Sequence, residues 1–256
     1  MAILKLPTQK EIKRYATLLN VLVKYGFEDV LSNSAFSKII PKKYLENHPD
    51  IEQNLSFSKY ERIRMVLEEL GPTYVKLGQI FSTREDMLPA ELITELEKLQ
   101  DHLPMLKNFD VLKTIEAELG TENFRYFATI NIEPLAAASL AQVHRAQLIN
   151  GDEVILKIQR PNIEEIIESD LLVMKQLAHS LEKYSSQAEA LQPLRIIESF
   201  ERSIKEELQF SRELKNTVQF TENFEGNMHI HVPDIYEDLS NDKIICMEFI
   251  DGIKVS

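Results

Sequence analysis

The dipeptide Asn150-Gly151 separates two strand-like runs, residues 140–148 and 153–159. Within the connection Ile149-Asn150-Gly151-Asp152, Asn-Gly is a strong hairpin signal, so this stretch commits the chain to an antiparallel hairpin. Successive side chains on a strand point to opposite faces. In the second run Val154, Leu156 and Ile158 form one apolar face, while Ile155, Lys157 and Gln159 share the other. A core must cover the first face. A lysine stands in the middle of the second, where an ordinary solvated side chain is the default reading.

Character changes at Gly120. Before it, apolar residues recur at helical spacing. Ile12, Tyr15, Leu18, Leu19, Leu22 and Val23 fit one helix, which Gly26 ends. Pro41 and Pro49 frame a polar linker. Further helices are predicted over 59–70, stopped by Gly71-Pro72, then over 73–81, over 89–100 ahead of Pro104, and over 110–119. Gly120 ends the last of these. Beyond it the pattern predicts strands at 124–130, 140–148, 153–159, 229–236 and 243–249. Long helices are predicted over 161–184 and 193–224, with a polar loop at 185–192 between them. About five short, mostly antiparallel strands around two helices make an α+β domain. Residues 1–120 are thus expected to form a helical N-terminal extension and residues 121–256 the sheet domain.

Bulk properties narrow the partners. A net charge of −12 argues against a general nucleic-acid binder, which needs a basic surface. Basic segments such as 10–14 are local. The one cysteine, Cys246, cannot form a disulfide within the chain, which suits a reducing compartment. No apolar run approaches the ~20 residues of a membrane helix. The longest candidate, 18–23, is interrupted by Asn20. The chain stops at Ser256 just after a strand, so it is expected to be a soluble fragment of a longer protein.

The surroundings of Lys157 change its reading. The first hairpin strand is preceded by the small residues 136–139 (AAAS), and a later predicted helix carries Glu206, Glu207 and Glu213. Strand, turn, strand with lysine, helix with glutamate is the plan of a protein-kinase small lobe, where the lysine contacts nucleotide phosphates and the glutamate holds it. The seven glycines, however, include no G-x-G-x-x-G and no G-x-x-x-x-G-K-[ST]. Alanine lets a backbone come nearly as close to a phosphate, but its Cβ removes the positive-φ conformations that glycine allows.

Five segments carry a wider resemblance. They are LGPTYVKLGQIFSTREDMLP (70–89), PLAAASLAQVHRA (134–146), EVILKIQRP (153–161), EELQFSRELKN (206–216) and IICMEFIDG (244–252). In this order they resemble the UbiB/AarF family of atypical protein-kinase-like proteins, which is linked to ubiquinone and other isoprenoid-lipid metabolism. The resemblance implies a kinase-like small lobe of about five antiparallel strands with helices, preceded by a helical extension, with the large lobe absent. It implies that Lys157 contacts the nucleotide and that Glu213 pairs with it. Lys76, Gly78 and Gln79 fall on the family's K-x-G-Q motif, which folds over the site where a protein substrate would bind. Glu207 takes the first acidic position of the helix motif. Leu135, Ala136, Ala137, Ala138, Ser139 and Val143 would cover the phosphates, and Glu248 and Ile250 would read the adenine edge. ATP or ADP is the implied cofactor. The Mg²⁺ ligands belong to the missing lobe, and none is expected in this fragment. The implied partners are nucleotide and lipids or quinone-pathway proteins, with the parent at the cytoplasmic face of a membrane.

Helix geometry adds to this. Lys76, Gln79 and Thr83 share one face of their helix; Tyr74, Leu77, Gly78 and Phe81 share the other. Gly78 costs roughly 1 kcal/mol against alanine in mid-helix, which a close helix contact would offset. Gln209 stands where the family has a second acidic residue. In a continuous helix it shares a face with Glu213, while Glu207 lies roughly 200° away and reaches another element, such as Lys76. Ile155, bulkier than the family's alanine, shares the face of Lys157 and narrows the base pocket. The leading expectation is an ATPase or phosphotransferase; its rival is a non-catalytic, nucleotide-responsive scaffold. A metal site at His229, His231 and Cys246 is the weakest alternative, because alternate histidines on a strand are ordinarily surface residues.

Overall fold

The computed structural model describes residues 8–27, 51–100, 109–184 and 192–253. The expected linker around Pro41 and Pro49, Pro104, most of the 185–192 loop and Ser256 lie outside them. The described residues fall into two compact units, one from 1–102 and 164–202, the other from 103–163 and 203–256.

The first unit is helical. Helix α1 (Gln9–Lys24) starts at a capping box: the Thr8 hydroxyl accepts from the Glu11 N–H, and the Glu11 carboxylate accepts from the Thr8 N–H. One turn, α2 (Ile51–Asn54), precedes α3 (Lys59–Leu70), where Ser58 and Glu61 repeat the same box. Gly71, at φ 102°, ends α3, and Pro72 opens α4 (Pro72–Phe81) where its missing N–H is harmless. Helix α5 (Ala90–Glu97) tightens into a 3₁₀ turn, Lys98–Gln100. These bounds match the spacing of the sequence within a residue or two.

In the second unit, α6 (Val111–Phe124) is kinked at Gly120, where φ is 80° and the first segment stops as expected. Strands β1 (Phe127–Ile130), β2 (Ala136–Ala137), β3 (Ala141–Leu148) and β4 (Glu153–Gln159) follow. The chain then forms α7 (Ile163–Tyr184) and α8 (Pro193–Glu207), which belong mostly to the first unit, before α9 (Phe210–Asn223) and, after a 3₁₀ turn, β5 (Ile244–Glu248) complete the second. The sheet order is β1-β3-β4-β5, all antiparallel, with β2 also on β3. Val154, Leu156 and Ile158 are buried beneath Val111 and Ile115 of α6. Burying each such side chain is worth about 1.5–3 kcal/mol. The helix read with the N-terminal series therefore packs on the back of the sheet. The opposite face buries Ala141 and Ile245 under Phe210 of α9.

Two expectations need correction. Residues 229–236 are not a strand: only Ile235 bridges β5, at Met247. Pro233 has no N–H to continue a ladder. Nor is 193–224 one helix. Gln209 is non-helical (φ −89°, ψ 86°) and caps α9. The Gln159 side-chain amide donates to the Leu208 carbonyl at the break. The apolar pattern also changes phase here. Ile204 and Leu208 share one stripe; Phe210, Leu214 and Val218 start another, two residues on and roughly 200° round. One straight helix cannot bury both, so the argument that Gln209 and Glu213 share a face does not hold.

Candidate functional site

Strand β4 presents Lys157 between Val143 of β3 and Ile245 of β5. Its ammonium lies 2.8 Å from Glu213 Oε1 and 2.6 Å from Oε2. The two side chains retain 24% and 39% of their exposure. The ammonium is also 5.0 Å from the centre of the Phe210 ring, within cation–π range. The break before α9 serves this geometry, since Phe210 anchors the first turn in the core and Glu213 follows three residues later. A pair this exposed stabilises a fold by about 0–1 kcal/mol, so it leaves a positioned cation available to an anion.

A cleft of about 970 Å³ is lined by Glu213 of the pair and by Glu207, Arg212, His231 and Met247 among others, while Lys157, the alanine loop and Glu248 lie outside its lining. Met247 is opposite Ile155, on the face of Lys157. The Glu248 carboxylate accepts from His231 Nε2 at 2.8 Å and from the Asp234 N–H at 3.2 Å. The Glu248 N–H donates to the Asp234 carbonyl, and Ile250 is exposed. Arg212 pairs with Glu206 at 3.0 Å.

The alanine loop solves its conformational problem without glycine. No residue from 131 to 148 has positive φ. Instead the loop runs as a short strand and a turn. The Leu135 N–H donates to the Val143 carbonyl, Ala136 and Ala137 pair with Val143 and Gln142, and the Ala138 N–H donates to the Ala141 carbonyl. Ser139 is buried at the turn. The loop amides of Leu135 and Ala138 are thus engaged by β3 rather than cradling an anion as a glycine loop does.

In the helical unit, Gly78 lies against its neighbours. A Cβ there would come 2.4 Å from Leu99 Cδ1 and 2.9 Å from Leu67 Cδ1. The close contact expected to offset its helix penalty is present. The Gln79 amide donates to the Leu99 carbonyl at 2.9 Å, fastening the 3₁₀ turn to α4. Lys76 is half-buried on α4.

Among the described residues no group of three His, Cys, Asp or Glu side chains is placed to hold a metal ion. Burial pushes the Cys246 thiol up to about 12, as expected of a core residue. No described helix is long and apolar enough to cross a membrane.

A five-stranded antiparallel sheet, a helix-borne glutamate on the strand lysine and a preceding helical region define a protein-kinase-like fold. The comparisons are more particular. Residues 98–256 match the family of the ABC1 atypical kinase-like domain. The chain belongs to this family, as its resemblance to UbiB/AarF proteins implies. Proteins named "Probable protein kinase UbiB" from Pseudomonas fluorescens and Aliivibrio fischeri are 36% and 37% identical over 96% and 97% of this chain. The chain spans 46% of the length of each. The structure of the Rv3197–erythromycin complex from Mycobacterium tuberculosis matches with a TM-score of 0.51 and 26% identity, over 81% of this chain and 52% of that one.

The structure brings Lys157 and Glu213 together, as the resemblance implies, keeps Ile155 on the lysine's face of β4, and sets Val143 opposite Lys157 in the ladder. Sequence reasoning missed Phe210, whose ring lies 5.0 Å from the ammonium, the bond of Gln159 to the break before α9, and the buried His144 and Arg160. His144 carried a readable signal, since strand alternation places it on the apolar face of Leu156.

Proposed function

We propose that this chain supplies the nucleotide-binding small lobe, with its helical extension, of an atypical kinase-like ATPase or phosphotransferase. The observation that carries this reading is the Lys157–Glu213 pair, whose glutamate lines a cleft large enough for a nucleotide. When ATP or ADP binds, Lys157 holds its α- and β-phosphates and Glu213 orients the ammonium. The alanine loop from Leu135 to Val143 covers the phosphates, while the backbone at Glu248 and Ile250 meets the base. In this reading Mg²⁺ would be held by residues elsewhere in the whole protein. The Lys76–Gln79 segment excludes protein substrates. Through its family the protein serves ubiquinone or related isoprenoid-lipid biosynthesis, with lipids or pathway proteins as partners at the cytoplasmic face of a membrane.

One observation favours a second reading. Loop amides already engaged by β3 are not free to stabilise charge on a transferring phosphoryl group, which favours a site without turnover. In that case the protein is a nucleotide-responsive scaffold. Steady-state ATP hydrolysis by the full-length protein, with and without Lys157→Ala, separates the two. Turnover lost in the variant supports the enzyme; nucleotide binding without turnover in the wild type supports the scaffold.

A further inference from the structure

A loop that lacks glycine needs another source of fixed shape, and two buried side chains supply one. On the face of the sheet opposite Lys157, His144 is fully buried between Leu156, across the ladder, and the ring of Phe109. Its Nδ1 lies 3.0 Å from the Asn131 carbonyl, at the start of the loop. Asn131 is also fastened by its own N–H, which donates to the Arg145 carbonyl. At the loop's far end, Arg160 directs Nε and Nη2 to the Ala138 carbonyl at 3.3 and 3.0 Å. The Arg160 N–H donates to Leu140 O. Both loop ends are thus bound through main-chain carbonyls, by side chains that have left water to do it.

The chemistry argues against an incidental role. Arg160 is only 7% exposed, and burial pushes its guanidinium below its ordinary value. Burying a cation is unfavourable unless its hydrogen bonds are made, and bonds from a charged donor are the strong ones. The Ala138 carbonyl belongs to the turn whose N–H binds Ala141 O, so the guanidinium sets that turn directly. His144 does the same for residues 131–135. Glycine loops owe their shape to permitted φ; this one owes it to bonds made from behind.

We infer that His144 and Arg160 are positioning residues of the alanine loop, fixing its two ends so that nucleotide meets a preformed cover. This rests on reading 134–144 as the nucleotide-facing loop. Hydrogen exchange on the full-length protein without nucleotide tests the bonds themselves. In Arg160→Met the Ala138 amide is expected to exchange roughly tenfold faster or more, the size of losing a bond from a charged donor, while the Glu248 amide keeps its wild-type rate. In His144→Phe the Asn131 amide accelerates instead. Arg160→Lys, which keeps the charge and a donor, restores the Ala138 rate part of the way and stands in if the methionine variant does not fold. Unchanged rates at Ala138 and Asn131, or acceleration shared equally with Glu248, overturn the inference.

ATP and ADP calorimetry on the same proteins tests the consequence. Weaker binding in both Arg160→Met and His144→Phe, partly rescued by Arg160→Lys, supports it. A wild type that binds nucleotide and variants that bind it equally well overturn it. If the wild type binds neither nucleotide, the reading of the site fails, and the exchange rates still decide whether the two side chains fix the loop.

Discussion

Two cation–carboxylate pairs in this molecule use the same chemistry in opposite surroundings. In the helical unit Arg14 of α1 donates to Asp170 of α7, whose side chain is wholly buried. The same guanidinium donates to the Leu70 carbonyl at 2.7 Å and lies 5.6 Å over the Tyr74 ring. Its contacts all serve the junction of α1, α3, α4 and α7. Burial pushes the Asp170 carboxyl above its usual range despite the arginine. In the sheet unit Lys157 pairs with Glu213, which lines a cleft, and both side chains remain partly wet. A buried pair punishes loss of one partner because the other is stranded; an exposed pair does not. By this contrast the first pair holds structure and the second is available for binding.

The contrast can be broken most readily at Asp170. Asp170→Ala should destabilise the protein by about 3 kcal/mol, by leaving Arg14 without its buried partner. Denaturant titration would show it, and a loss no larger than that from Glu213→Ala removes the contrast. Next in size is Gly78→Ala. The added methyl meets Leu99 and Leu67 in a packed contact, costing about 1–3 kcal/mol against a helix-propensity gain of about 1. A net loss near 1 kcal/mol is expected in the same titration, and a more stable variant would show that α4 has room to shift.

His144 sharpens the comparison through pH. Burial pushes its imidazole below the usual value, more strongly than its bond to Asn131 raises it. The folded state therefore takes up its proton at lower pH than the unfolded chain does. The contribution is intact above pH ~6.5 and is lost as pH falls from there through the lowered folded value. Melting temperatures should drop over that window in the wild type and less in His144→Phe. The smallest effect belongs to Ile155→Ala, which opens space beside Met247 and should tighten ADP binding; equal or weaker binding by calorimetry would show that Ile155 does not limit the pocket.

How much was legible depends on whether local chemistry or distant packing decides an element. Asn150-Gly151 and the alternation of 153–159 fix β4 to the residue, because turn and period agree. Gly71-Pro72 separates α3 from α4 for the same reason. The break at Leu208–Gln209 has neither glycine nor proline. It is set by Gln159, some fifty residues earlier in the chain, and only the change of stripe phase announces it. Segment 229–236 has strand-like residues, but Pro233 and a single bridge at Ile235 leave it irregular. At the site, Lys157 and Glu213 stand out as charges on predictable faces. Arg160 does not, because its importance lies in the carbonyl it reaches, which sequence spacing does not show.

The central claim is that the Lys157–Glu213 pair serves nucleotide binding rather than stability. The most direct measurement is ADP titration calorimetry on the full-length protein and its Glu213→Gln variant, each also melted without nucleotide. The account predicts affinity weakened about tenfold, the size of one charged hydrogen bond, with the melting temperature nearly unchanged. Equal affinities, or a melting loss as large as that of Asp170→Ala, would contradict it.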